Sequence, residues 1–268
     1  MVAARGAGAI RRHRGVSSRT VAWALVVLTV LSGLAASAGP ASAEALAKTH
    51  TRARASALLV RLSNLHSLTR WAYPSYEAPV RDAPSQQARV VGHLRFLTGD
   101  GQAELYIALA AEHGVSGTGW VRIELPGRPD GKTGWIPREA LGSMHRLHSW
   151  LRVDQLAERA TLYRNGRAIF HAPVGTGKPS TVTPSGHFYV MEKLITLNAP
   201  LYGPYALGTS AYAPTLSEWP GGGVVGIHGT DEPGLVPGHP SHGCVRMHNA
   251  DIARLWRMIS VGTPIEIT

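Results

Sequence analysis

The sequence predicts a mainly β protein: two successive β regions, the second carrying one C-terminal helix. Three observations predict it. From Trp71 onward, short apolar stretches alternate with turn signals at Gly99-Asp100-Gly101, Gly117-Thr118-Gly119 and Asp130-Gly131, the pattern of a small all-β barrel. Further on, Asn165-Gly166 separates two apolar runs, the strongest short-range sign of a hairpin. Ile252, Leu255, Trp256 and Ile259 then recur on one face of a helix.

Taken in order, Arg5, Arg11, Arg12, Arg14 and Arg19 precede an apolar run beginning at Val21, and Ala41-Ser42-Ala43 fits a small-x-small cleavage rule. Residues 1–43 are therefore expected to be a signal peptide cleaved after Ala43. The run, Val21–Ala38 at its outer limit, is short of the roughly 20 residues of a spanning helix; an uncleaved anchor is the alternative. Either way the chain is expected in the cell envelope, the cell wall or outside the cell. Residues 44–70, rich in Ala, Leu and Arg, are expected to be a helical or disordered connector. Residues 71–147 form the first β-domain, whose closing hairpin has Trp120, Val121, Ile123 and Leu125 before its turn and Trp135 and Ile136 after it.

Residues 148–268 form the second domain. After the Asn165-Gly166 hairpin, Thr183–Gly186 is a turn feeding a strand. The segment 201–223, with Tyr202, Tyr205, Tyr212 and Trp219, reads as a loop. Val224–His228 is a buried strand, Asn249 is placed to cap the helix, and Ile265–Ile267 is a final strand.

The 268 residues carry 27 basic and 17 acidic groups. Without the five leading arginines, 22 basic groups face 17 acidic ones, a balance of +5. That charge suits an anionic envelope; no Lys/Arg block with interleaved aromatics argues for nucleic acid. Cys244 is the single cysteine, so an exported chain has no internal disulfide, and the thiol is paired with another molecule, reactive, or buried as a structural residue.

A thiol attacks carbonyls as thiolate and needs a base. His228, His242 and His248 are the candidates. His228 ends an apolar strand, a rigid mount for an imidazole; Gly229 lets a carbonyl approach and orient the ring, and Gly243 is a hinge that aims amides at an oxyanion. These histidines and Cys244 are also zinc-competent, which makes a zinc-dependent cell-wall peptidase an alternative, but no H-E-x-x-H is present and their spacing matches no common ligand set. No metal site and no cofactor are expected. Gly175–Ser180, "GTGKPS", lacks phosphate-loop spacing and reads as a turn.

The segments "GIHGT" (226–230) and "PSHGCVRM" (240–247) resemble the active-site signature of L,D-transpeptidases with a YkuD-type catalytic domain. "TPSGHFYV" (183–190) is similar to that family's Thr-Pro-Thr-Gly strand entry, and the resemblance runs from about Leu151 to Thr268. The 12-residue spacer Gly229–Pro240 is slightly short, and Arg246 stands where asparagine is frequent. The paired Gly119-Trp120 and Gly134-Trp135 strands resemble bacterial SH3-like domains. The resemblance implies a β-rich catalytic domain in which Cys244 attacks the third residue's carbonyl in a peptidoglycan tetrapeptide stem and expels the terminal D-alanine. The acyl-thioester then passes to an amine of a neighbouring stem, giving a 3→3 cross-link; hydrolysis of the same intermediate, an L,D-carboxypeptidase activity, is the alternative. It further implies His228 as acid and base, Gly229 as its orienting carbonyl, and Gly243 and Cys244 amides as the oxyanion hole. Ser241, His242, Arg246 and Tyr212 are assigned supporting or substrate contacts, and the Tyr202–Trp219 segment a lid. Carbapenem β-lactams are the expected inhibitors and a wall component the expected ligand of the SH3-like part.

Overall fold

The computed structural model describes residues 58–113, 119–216 and 222–268. The expected signal peptide and Trp219 lie outside the described residues. The first sheet contains β1 (Leu58–Arg61), β2 (Thr69–Ala72), β3 (Pro79–Arg81), β4 (Val90–His93), β5 (Tyr106–His113), β6 (Gly119–Glu124), β7 (Thr133–Pro137) and β8 (His145–Leu147). Its order is β4-β3-β7-β6-β5-β2-β8, every pairing antiparallel. Alternation along β6 and β7 turns Val121, Ile123 and Ile136 into a core with Val80, Leu94 and Tyr106. The closing hairpin is β6–β7, in register from Trp120↔Pro137 to Glu124↔Thr133.

One element of the first sheet departs from expectation. β1 lies inside the stretch expected to be helical or disordered. β2 pairs with Tyr106–Ala108 of β5, and β1 takes the remaining half, from Arg61↔Ala110 to Leu58↔His113. The open edge of a long strand thus outweighs the helical preference of an Ala/Leu/Arg-rich segment.

The second sheet contains β9 (Ser149–Asp154), β10 (Arg159–Arg164), β11 (Arg167–Pro173), β12 (Gly175–Gly177), β13 (Gly186–Ile195), β14 (Tyr205–Tyr212), β15 (Val224–His228), β16 (Gly238–Ser241), β17 (Val245–Arg246) and β18 (Pro264–Ile267), with helix α1 (Asn249–Met258) between the last two strands. Its order is β11-β10-β9-β18-β13-β14-β15-β17-β12-β16. Asn165 and Gly166, at φ 51° and 74°, make the tight β10–β11 turn. Strand β14 replaces the expected loop. It is central and buried along almost its whole length, and its Ala, Gly and Ser residues fit between crowded neighbours while carrying little strand preference of their own.

Ile252 and Leu255 of α1 are buried in the same core as Val225, Ile227 and Val245. Asn249 does not cap the helix: His248 is the N-cap residue and makes no side-chain cap bond. The Asn249 side chain accepts instead from the N–H of Thr230, at 2.8 Å. It therefore pins the turn that follows His228.

The two sheets share a cluster of Trp71, Leu105 and Ile107 from the first and Tyr189 and Met191 from the second. Polar contacts cross the same seam. Tyr189 donates to the Leu105 carbonyl at 3.1 Å, Thr98 to the Glu192 carboxylate at 2.9 Å, and Ser210 to Glu124 at 3.4 Å. Arg128 of the first region holds the carbonyls of Ala213, Leu216 and Gly222. Strands β13 and β14, which flank the site, are thus braced from outside their own sheet.

Candidate active site

Parallel pairing of β15 with β17 brings together segments far apart in sequence: Ile227 opposes Val245 and His228 opposes Arg246. His228 is buried at the end of β15, with Nδ1 2.6 Å from the Gly229 carbonyl. A carbonyl only accepts, so Nδ1 carries the proton and Nε2 is left as the basic nitrogen. Burial pulls the imidazole pKa down to about 4, with the Arg246 charge adding to the shift and the Gly229 bond opposing it. Tyr202 stands edge-on to the ring, 4.9 Å between centres.

Cys244 is half-buried. Burial raises its pKa, while the N–H of Gly226, donating to Sγ at 3.4 Å, and the Arg246 charge pull the other way. Gly226 also fixes the relation of thiol and base. A methyl group built on it would lie 3.6 Å from His228 Cδ2 and 3.9 Å from Cys244 Sγ, so both atoms border one small space that glycine leaves clear. Cδ2 is bonded to the basic Nε2 in the ring.

The loop before the thiol is tied on both sides. Ser241 Oγ donates to the Cys244 carbonyl at 2.5 Å and accepts the Gly243 N–H at 3.1 Å. Thr183 Oγ1 donates to the Gly243 carbonyl at 2.8 Å and accepts the Gly177 N–H at 2.9 Å. Gly243 sits at φ +121°, a conformation that favours glycine. Its amide, expected in an oxyanion hole, is thus engaged by Ser241, and the amide lying on the sulfur belongs to Gly226.

Among the described residues, two openings reach Cys244. A narrow slot of about 30 Å³ is lined by Tyr202, Ala213, His228, His242, Gly243 and Arg246. Arg246 is buried, with Nη1 2.7 Å from Glu232 and Nε without a partner. A wider cavity of about 340 Å³ includes Asp100, Glu192, Leu194, Gly208 and Gly226. Its floor is a row across three strands, because Glu192 opposes Gly208 and Gly208 opposes Gly226. A Cβ on Gly208 would fall 2.5 Å from Glu192 Oε1; glycine there makes room for the carboxyl. Burial raises the Glu192 pKa to about 7, with Asp100 adding to the shift and the Thr98 bond opposing it.

Residues 148–267 match the family model of the YkuD-type L,D-transpeptidase catalytic domain. The chain is 32% identical over 145 residues to the L,D-transpeptidase YkuD of Bacillus subtilis (strain 168), covering 54% of this chain and 73% of that protein. This decides the family. The chain belongs to the L,D-transpeptidases. It is also 29% identical over 120 residues to L,D-transpeptidase 1 of Mycobacterium tuberculosis (strain ATCC 25618 / H37Rv), covering 41% of this chain and 47% of that one. An Enterococcus faecium L,D-transpeptidase crystal structure is 26% identical, covering 45% of this chain and 49% of its own, with a TM-score of 0.37.

Within this L,D-transpeptidase-family domain the expected residues separate. His228, Cys244, Gly243, His242 and Arg246 meet at the slot. Ser241 holds the loop. Tyr212 does not join them: its ring lies 5.1 Å from the Arg128 guanidinium, and it borders a different cavity with Arg95 and Glu104. Strand β14 carries it away from Tyr202, which does reach the imidazole. His248 is turned to the Pro233 carbonyl, 3.2 Å away, and to Asp251. Gly226 and Glu192 carry no role in the sequence reading, and Asn249 only that of a helix cap. The glycine of "GIHGT" was the one available signal, since a glycine inside an apolar strand marks a close approach.

Proposed function

We propose that the chain is a peptidoglycan L,D-transpeptidase with Cys244 as nucleophile and His228 as acid and base. The observation that carries this reading is the space beside Gly226, bordered at once by Cys244 Sγ and the His228 ring. With the thiol pKa raised and the imidazole pKa lowered, the resting pair is neutral. The proton therefore moves to Nε2 as sulfur attacks the donor carbonyl, rather than before. The tetrahedral intermediate collapses by breaking the C–N bond. The imidazolium gives its proton to the leaving D-alanine amine, and a thioester remains on Cys244. An acceptor amine then attacks the thioester, Nε2 takes a proton from it, and the C–S bond breaks as the thiol is restored.

The two openings suit the two substrates by charge. Arg246 lines the narrow slot, and its positive charge suits a carboxylate of the stem peptide. The acidic cavity of Glu192 and Asp100 suits the acceptor, an ammonium ion in neutral solution before it reacts. Outside the cytoplasmic membrane, where the leading residues would direct the chain, both substrates are at hand. Carbapenems acylate the same sulfur in this reading.

Intact-mass spectrometry with a carbapenem tests it. The wild type is expected to gain one adduct and Cys244→Ala none; an unmodified wild type or an equally modified variant overturns the assignment.

A further inference from the structure

Outside both openings to Cys244, three side chains from distant parts of the sequence converge. His66 lies in the turn before β2, His187 is the second residue of β13, and Glu266 belongs to β18. One ligand-type atom from each falls within 4.8 Å of the other two. We infer that His66, His187 and Glu266 form a binding site for a zinc-class divalent ion that ties the two sheets together.

Each member is held in place by the fold. His187 and Glu266 oppose each other directly in the antiparallel β13–β18 pair, so their side chains leave the sheet on one face. His66 comes from a turn built around Asn64, whose Oδ1 accepts the N–H groups of His66, Ser67 and Leu68 at 3.2, 2.8 and 3.0 Å. Leu65 takes φ +69° to complete that turn, an uncommon cost for a branched residue. The His66 ring then packs on Trp150, 4.5 Å between centres, and stands 6.2 Å from the His187 ring. Glu266 has Arg152 as its parallel-strand neighbour, but that guanidinium binds Asp154 at 3.1 Å. The carboxylate faces His66 Nε2 instead, at 3.7 Å.

The donor set selects the ion. Two imidazoles and one carboxylate are zinc ligands, with bonds of about 2.0–2.2 Å, and a tetrahedral ion would keep one position for water. Calcium and magnesium want more oxygens than this cluster offers. Copper(II) would bind as well, being more avid for nitrogen and oxygen donors. Because the turn of residues 64–68 leads into the first sheet while β13 and β18 belong to the second, an ion here acts as a clasp between them. It takes no part in the chemistry at Cys244.

The test uses untagged protein stripped by a chelator and then titrated with zinc chloride, followed by calorimetry and thermal unfolding. One ion per chain is expected, with the melting temperature rising by roughly 5–10 °C at a hundredfold excess over Kd. Exposed His187→Ala and Glu266→Gln should each lose most of that rise, weakening binding by more than the roughly 10–100-fold that an outer-shell partner costs. Cys244→Ala should bind zinc like the wild type, which separates this site from zinc held by the thiol. Cobalt(II) should give a visible spectrum without a thiolate charge-transfer band. The inference is overturned if the wild type takes up no stoichiometric zinc, if His187→Ala and Glu266→Gln bind it unchanged, or if Cys244→Ala abolishes binding.

Discussion

At the Cys244 site and at the seam between the sheets, the chain takes ionisable groups out of water, and it treats them differently. Burial at the site pushes His228 down to about 4 and Cys244 up. Burial at the seam pushes Glu124 up to about 8 and Glu192 to about 7. Desolvation thus favours the neutral form in both places. The difference lies in the partners. Glu124 and Glu192 are met across the seam by the hydroxyls of Ser210 and Thr98, whereas His228 bonds through Nδ1 to the Gly229 carbonyl beside it. The seam hydroxyls tie one sheet to the other, whereas the His228 ring borders the space beside the Cys244 sulfur.

The comparison breaks most visibly at His228. Replacing it by glutamine should lower the rate of Cys244 acylation by about 10²–10⁴-fold, the usual worth of a general base, with the melting temperature little changed. Single-turnover acylation kinetics measure this, and a loss below tenfold would remove His228 from the mechanism. Next in size is Gly208→Ala, whose added methyl meets Glu192 Oε1 at 2.5 Å and should cost about 1–3 kcal/mol by overpacking. Adding Glu192→Ala should recover part of that cost if the carboxyl is the obstacle, a non-additivity that urea denaturation can read.

The seam should also be visible in the pH dependence of stability. Burial lifts the folded pKa of Glu124 to about 8 from its ordinary 4.5. Between those values the unfolded chain has released the proton that the folded chain retains, so stability falls as pH rises through this window. Glu124→Gln should flatten that slope between pH 5 and pH 8 in urea unfolding. His228 works in the opposite sense: its stabilising contribution is lost as pH falls from 6.5 toward 4, so the glutamine variant should leave the acid limb in place. An unchanged alkaline slope in the variant would show that Glu124 does not control the seam.

How much of this was legible in the sequence depended on how local each cause is. The β10–β11 turn is written in two residues, Asn165 and Gly166, and the helix in one periodic stripe. His228 and Cys244 stand in short motifs whose residue types already require each other. Strand β14 was hidden because its small residues carry little β signal until β13 and β15 crowd it. β1 was hidden because its reason for being a strand is an unpaired half of β5 about fifty positions away. Tyr212 was misplaced for the same reason: reading 201–223 as one loop put every ring in it near the thiol. The cluster of His66, His187 and Glu266 spans 200 positions, and no spacing rule reaches that far.

Glu192 joins the two regions, since Thr98 binds its carboxyl at the seam while the same side chain forms the acidic end of the cavity leading to Cys244. If it serves the acceptor, Glu192→Gln should leave carbapenem acylation within about twofold of wild type, because the first half-reaction does not use that cavity. Transfer of the acyl group to a cationic amine should fall about fivefold relative to hydrolysis, the worth of roughly 1 kcal/mol for a single partly screened charge contact. Hydroxylamine, uncharged at neutral pH, should be used equally well by both proteins. The difference should also grow as pH rises through about 7, where Glu192 becomes the anion. Partition ratios measured by mass spectrometry across that range decide the matter. Equal losses with the cationic and neutral amines would make Glu192 a seam residue alone, whereas a loss confined to the cation would make the seam part of the enzyme's choice of acceptor.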